Sequence, residues 1–248
     1  MAQKIKVGAV SYLNTKPLIY GFERGMMKDE IELIIDYPAN IATLLQNNEI
    51  DVGLVPVAII PSLKEYYIIA DYGIGCDGAV ASVCLFSDVP LHEIETILLD
   101  YQSKTSVSLL KILLKQHWKI SPQLVAGTNN FEQQIGGTVA GLIIGDRALI
   151  QRRKSKFIFD LGMGWKELTG LPFVFAAWVS NKPLPELFCA AFNETTKTGL
   201  DHIKQVVAEN PFDFFNLEDY YNNFIKFRID LPMHEALTLF LNKLNNNT

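Results

Sequence analysis

"IDVGLVPVA", residues 50–58, is a short apolar run that stops at Pro56. "VAGLIIGDRA", residues 139–148, repeats the design: small and branched residues, then a polar corner. Two such strand-and-corner segments far apart in one chain predict two similar lobes rather than one long sheet. The surrounding pattern agrees. Residues 5–10 read as a buried strand, and 15–24 as a helix with Asn14 as N-cap and Pro17 tolerated in the first turn. Residues 31–36 and 52–55 read as strands. Residues 39–47, with Ile41, Leu44 and Leu45 on one face, read as the helix between them. Short strands alternating with helices indicate βαβ units and a parallel sheet.

The middle of the chain repeats the theme. Residues 96–99 read as a strand, 106–115 as a helix directly after "QSKT", and 140–144 as a strand. "GDRALI" opens a further helix with Asp146 as its cap, and 156–159 is another strand. The tail is helical in pattern over 185–209 and 232–244. Two long apolar runs, 79–87 and 173–180, lie between these sections. They read as strands that cross from one lobe to the other and back. The first lobe is then 1–87 with 173–248, and the second is 88–172. Ligands of such folds sit where strand C-termini meet helix N-termini.

Composition narrows the function. The chain has 248 residues, 49% of them hydrophobic, enough for a sizeable core. A net charge of −5 gives no reason to expect nucleic acid or an anionic membrane as partner. Cys76, Cys84 and Cys189 are odd in number and widely spaced. They read as reduced thiols, not as a disulfide framework or a zinc site. The start runs straight into a strand with no apolar leader, and no run reaches the ~18 residues needed to span a bilayer. A cytoplasmic location is expected. His92, His117, His202 and His234 are scattered without metal-ligand spacing, so no metal is expected.

"GIGCDG", residues 73–78, matches the dinucleotide pattern G-x-G-x-x-G. That fingerprint needs a helix directly after the glycines, because the pyrophosphate rests on the helix N-terminus. Here "AVASVCLFS" follows, which reads as strand, so 73–78 is taken as a turn. The helix N-termini are what remain. Asn14-Thr15-Lys16, Lys104-Thr105-Ser106 and Gly145-Asp146 form three corners on two lobes. The first two offer open N–H groups, hydroxyls and a lysine each, a receptor for a carboxylate. Each corner taken alone is also explained by ordinary capping. Ser82 lies within the first crossing run and faces the cleft if that run borders it. Trp165, Thr169, Gly170 and Phe173 precede the return crossing as core or cleft wall.

Taken together, "VSYLNTKPL" (10–18), "DVGLVPVA", "ASVCLFS", "SKTSVSLL", "IIGDRAL" and "WKELTGLPFVFAAW" follow the order seen in the chorismate dehydratase family, which this chain resembles over roughly residues 5–178. The resemblance implies an α/β, two-lobed fold of the type II periplasmic-binding-protein kind, with the second lobe inserted between two crossing strands and the ligand cleft between lobes. It implies a lyase that dehydrates chorismate to 3-[(1-carboxyvinyl)oxy]benzoate, the first step of the futalosine route to menaquinone. No cofactor, membrane or obligate protein partner is called for. The family's important asparagine matches Asn14 and its active-site serine matches Ser82. Ser11, Tyr12, Thr15, Lys16, Thr105, Ser106, Gly145, Asp146, Thr169 and Gly170 are then expected to bind substrate. The family's "SRTS" corner is "SKTS" here. Lys104 cannot reproduce a bidentate arginine, so the N–H groups of Thr105 and Ser106 carry that corner.

The chemistry suits such a site. Loss of the C3 proton of chorismate is assisted by delocalisation into the ring carboxylate. The C4 hydroxyl then leaves and the ring becomes aromatic. The protein mainly positions and polarises. The proton acceptor is open between the substrate's own enolpyruvyl carboxylate, Lys16 and Asp146. Three other readings compete. One is a non-catalytic carboxylate-binding protein. Another is a regulator's ligand domain, disfavoured because no helix-turn-helix precedes the first strand. The third is the sister lyase acting on dehypoxanthinyl futalosine, disfavoured by the Asn14 corner.

Overall fold

The computed structural model describes residues 4–245; the outermost residues that the reading above assigned to the first lobe, 1–3 and 246–248, lie outside the described residues. The chain enters as β1 (Ile5–Val10), whose branched residues suit a pleated, buried surface. A single 3₁₀ turn over Leu13–Thr15 leads into α1 (Lys16–Glu23). Pro17 sits in the first turn of α1, where a missing N–H costs nothing. β2 (Ile31–Asp36), α2 (Pro38–Gln46), β3 (Val52–Pro56), a 3₁₀ stretch (Val57–Ser62) and β4 (Tyr67–Cys76) follow.

The chain then crosses to β5 (Val83–Ser87), β6 (Thr96–Leu99) and α3 (Lys104–Leu113). After a π-helical turn (Leu114–Trp118) come β7 (Gln123–Ala126), β8 (Val139–Ile144), α4 (Gly145–Gln151), β9 (Phe157–Asp160) and α5 (Leu161–Thr169). It returns as β10 (Phe173–Ser180) and ends in α6 (Glu186–Asp201), α7 (Ile203–Glu209), α8 (Leu217–Asp219), β11 (Lys226–Arg228) and α9 (Leu231–Asn245).

Two mixed sheets result, one per lobe. The first has the order β11-β4-β10-β3-β1-β2 and the second β7-β6-β8-β5-β9. β1 runs parallel to β2 and β3, and β6 runs parallel to β7 and β8, as the βαβ reading requires. β10 is antiparallel to both β3 and β4, and β5 to both β8 and β9. A shared apolar seam joins the lobes: Trp165 of α5 meets Phe173 of β10 and Phe240 of α9 edge-on, at ring separations of 5.1 and 6.1 Å.

Four sequence expectations are corrected. Residues 73–76 are not a turn but the end of β4; Gly75 lies so close to its neighbours that a Cβ would stand 2.1 Å from Met233 Cε and 2.6 Å from the Phe173 carbonyl. The run 79–87 is strand only from Val83, and β5 pairs wholly within the second sheet, so hydrogen bonding places the crossing before Val83 rather than after Ser87. The tail helix expected over 185–209 breaks at His202. Finally β7, β11 and the first half of β4 are strands that local pattern does not predict: β7 and β11 have four and three residues, and the Ile68-Ile69 pair of β4 is too short a run to mark a strand by itself.

The crossing itself is a tight device. Ser82 N–H donates to the Val80 carbonyl at 2.8 Å around Ala81, whose φ is +63°, a γ-turn of the strained hand. The Asp160 carboxylate holds it, accepting from Val80 N (3.1 Å) and Ala81 N (2.8 Å). The same carboxylate caps α5, accepting from Gly162 N (2.9 Å) and Met163 N (3.1 Å). Asp160→Ala removes the cap and orphans two further N–H groups, and is expected to cost about 2–4 kcal/mol. Denaturant unfolding measures it; a loss under about 0.5 kcal/mol, the range of a neutral surface change, would contradict the tie.

Candidate active site

The C-terminal ends of β1, β3 and β8 converge with the N-termini of α3 and α4 on one cleft between the lobes, lined by Val10, Pro56, Ile144, Gly145, Thr105 and Ser106 among others. About 550 Å³ of empty space lies in it, its open mouth included. Its walls are Val80, Val83, Ile74, Phe175 and Ala176, and its polar groups are Tyr12, Asn14, Ser82, Gln102, Ser103, Thr105 and Ser106. None of the lining residues is charged. No group of three or more metal-ligating side chains lies together among the described residues.

Three hydroxyls in this cleft share one arrangement. Thr105 Oγ1 accepts from Ala58 N at 3.1 Å, Ser106 Oγ accepts from Ser103 Oγ at 2.8 Å, and Ser82 Oγ accepts from the Tyr220 phenol at 2.7 Å. A hydroxyl has one proton to give, and accepting a bond leaves that proton free for another partner. All three residues are almost wholly buried. Ser103 is the cap of α3 and accepts from Ser106 N at 3.1 Å. The Thr105 N–H sits in the first turn, where no intrahelical acceptor exists. The cleft is thus lined with hydrogen-bond donors, and the partial positive end of α3 adds to them.

Tyr12 closes the cleft from the first lobe. Its phenol donates to Gln102 Oε1, which also accepts from Arg147 at 3.1 Å. Arg147 is bound to the buried Asp100 carboxylate at 2.7 Å. Burial pushes the Tyr12 phenol up, so it stays a neutral donor. The Tyr12 ring lies on Gly145, where a Cβ would meet it at 3.1 Å and where φ is +62°. Both facts make glycine the fitting residue there. Asn14 is 8% exposed, and its Oδ1 is 3.5 Å from the Thr15 hydroxyl.

The expected site residues divide into two sets. Tyr12, Asn14, Ser82, Thr105, Ser106 and Gly145 are brought together in the cleft lining. Ser11, Thr15, Lys16, Asp146, Thr169 and Gly170 are not. Ser11 is exposed at the end of β1, and Thr15 is buried behind Asn14. Lys16 turns along α1 to Glu23, 3.4 Å away, and Lys104 is exposed. Thr169 binds its own helix at the Trp165 carbonyl (2.8 Å), and Gly170, at φ +74°, ends α5.

The caps expected from sequence are also corrected. Asn14 and Thr105 cap no helix, because the 3₁₀ turn at Leu13 and the Ser103 cap take those positions. Asp146 accepts from Leu13 N of the other lobe at 3.1 Å. Sequence reasoning missed Gln102, Ser103 and Tyr220. The "YQSKTS" run contained the signal for the first two, as a serine three residues before another at a helix start. Nothing local marked Tyr220.

A two-lobed α/β scaffold with an anion-receptive cleft at its strand ends is the periplasmic-binding-protein architecture. The periplasmic aliphatic sulphonate binding protein of Escherichia coli superposes on it with a TM-score of 0.65 at 13% identity, covering 100% of this chain and 93% of that one. The chain belongs to the family described as menaquinone biosynthesis, whose model matches residues 5–246. It is similar to the chorismate dehydratase of Thermus thermophilus, at 27% identity over 227 residues, 81% of this chain and 79% of that protein. It is likewise similar to the chorismate dehydratase of Campylobacter jejuni, at 27% identity over 242 residues, 94% of this chain and 95% of that protein.

Burial pushes the Asp146 carboxyl up to about 6 from its usual 3.8, against the Leu13 N–H that favours its charge. Between those two pH values the folded chain keeps a proton that the unfolded chain releases. The stability this group contributes is therefore full below about pH 4 and lost as pH rises through 6. Asp146→Asn keeps an acceptor for Leu13 and removes the titration. Its stability relative to the unaltered protein is expected to rise between pH 4 and 7, by urea unfolding at each pH. A constant or falling difference would contradict the buried, raised carboxyl.

Proposed function

We propose that this protein removes water from chorismate to give 3-[(1-carboxyvinyl)oxy]benzoate, the first step of the futalosine route to menaquinone. Membership of the menaquinone biosynthesis family and similarity to two chorismate dehydratases support the reading. The observation that carries it is that Asn14 and Ser82, from separate segments of the chain, both line one donor-rich cleft.

Chorismate is a dicarboxylate, and the donors of the cleft match it. The hydroxyls of Thr105 and Ser106, with the Thr105 N–H, receive one carboxylate, and Ser82 receives the enolpyruvyl carboxylate. Asn14 Nδ2 assists departure of the C4 hydroxyl. The C3 proton and the C4 hydroxide leave as water, and the ring electrons close to an arene. No carboxylate, imidazole or amine of the protein lines the cleft among the described residues. Lys16 is engaged with Glu23 and Asp146 with Leu13. The enolpyruvyl group hangs from the oxygen on C3, and its carboxylate folds back on the C3 hydrogen, so the substrate supplies its own base within the reach proton transfer requires.

Purified protein mixed with chorismate is expected to consume it and yield a product lighter by one water, identified by mass. Intact chorismate at the end would leave a carboxylate-binding module instead. Asn14→Ala is expected to lower kcat by roughly 10²–10³-fold, the usual cost of a lost donor at a charge that develops in the transition state. Ser82→Ala is expected to raise KM roughly tenfold, as loss of one hydrogen bond to a charged group does. Near-unaltered rates in both folded variants would remove these residues from the chemistry.

A further inference from the structure

Ser82 owes its direction to a residue that does not line the cleft. We propose that Tyr220 is a positioning residue that turns the Ser82 hydroxyl into an obligate donor toward a carboxylate in the cleft.

The phenol of Tyr220 stands 2.7 Å from Ser82 Oγ, and Tyr220 is 1% exposed. It comes from the C-terminal part of the first lobe, opening the π-helical turn Tyr220–Phe224, more than a hundred residues beyond Ser82. Its ring is fixed by Phe215 at 6.0 Å and Tyr221 at 5.6 Å. Tyr221 in turn donates to the Leu13 carbonyl at 2.9 Å, so the turn is pinned beneath the cleft floor.

Consider the protons. A serine hydroxyl gives one and accepts at two lone pairs. The Ser82 hydroxyl could take either role toward a tyrosine, and what else each hydroxyl can reach decides: the buried phenol has no other acceptor among the described residues. Tyr220 does not line the cleft and Ser82 does, so the phenol gives its proton to Ser82 Oγ and the Ser82 proton is left for the cleft. Burial keeps the phenol neutral, so that proton is always present. The Ser82 proton then has no acceptor among the described residues other than what enters the cleft. The step from Tyr220 to Ser82 points both donors the same way, and hydrogen bonds in such a row polarise one another. Sequence-adjacent packing does not require a tyrosine here; phenylalanine would fill the same volume and leave Ser82 free to turn away.

This inference rests on the reading that the cleft takes a carboxylate, and the experiment separates the two. The unaltered protein, Tyr220→Phe, Ser82→Ala and the double variant are compared for chorismate turnover and for the dissociation constant of 3-[(1-carboxyvinyl)oxy]benzoate. Loss of chorismate by the unaltered protein judges the functional reading; the dissociation constants judge Tyr220. Tyr220→Phe is expected to weaken binding roughly tenfold, the cost of one misdirected bond to a charged group, with an unaltered melting temperature. In the Ser82→Ala background the same change is expected to add less than about twofold, since Tyr220 acts through Ser82. A full tenfold loss in that background, no loss in the unaltered one, or no binding by the unaltered protein overturns the proposal. If Tyr220→Phe does not fold, 3,5-difluorotyrosine at position 220, a stronger donor of nearly the same shape, takes its place. It is expected to tighten binding only where Ser82 is present; equal effects with and without Ser82 overturn the proposal.

Discussion

The carboxylate of Asp160 is the point on which the two lobes agree. It accepts from two N–H groups of the crossing segment and two of α5, and so joins the chain leaving the first sheet to a helix of the second lobe. The backbone it holds is unfavourable by itself. Ala81 sits at φ +63°, which costs an L-residue roughly 1–2 kcal/mol. Hydrogen bonds to a charged acceptor offset that, being worth roughly 1.5–3 kcal/mol each. The consequence falls one residue later. The γ-turn aims Ser82 so that its carbonyl accepts from Gly145 N at 2.8 Å and its hydroxyl meets Tyr220. A strained residue, an anchoring carboxylate and a cleft hydroxyl are thus one construction.

The cleft proposed to take the carboxylates has no charged residue in its lining. A lysine in its lining would attract a carboxylate, but it would also have to shed its own water in a dry site. Donors already bonded from behind give up little on binding, because their geometry is preset and their remaining proton is the only group to be satisfied. Thr105, Ser106 and Ser82 all have this form. The charges lie one layer out and are engaged: Arg147 with Asp100 and Glu132, and Asp146 with the Leu13 N–H. Of these, the Asp146 bond to Leu13 crosses between the lobes, as does the bond from the Tyr12 phenol to Gln102.

The sequence made legible whatever depends on local pattern. The alternation of β1, α1, β2, α2 and β3, the repeat in β6, α3, β8 and α4, and the return crossing β10 all came from periodicity and punctuation. So did the corners that contain Asn14, Thr105 and Gly145. What depends on pairing across the chain was not legible. β5 reads like a first-lobe strand until its partners β8 and β9 are known. Asp146 looks like a cap of its own helix until Leu13 of the other lobe is seen beside it. Lys16 looks like a ligand for an anion until Glu23, two turns on, claims it. Tyr220 is one aromatic among many in the tail, and only the fold brings it beneath Ser82.

Everything proposed for the cleft depends on where a carboxylate rests. A crystal structure with 3-[(1-carboxyvinyl)oxy]benzoate bound is the direct measurement. One carboxylate is expected within hydrogen-bond distance of the Thr105 and Ser106 hydroxyls and the other on the Ser82 hydroxyl, with Tyr220 still behind Ser82 and no ammonium group in contact. A ligand whose carboxylates are held by Lys16 or Lys104, or that lies outside the cleft, would contradict the proposal.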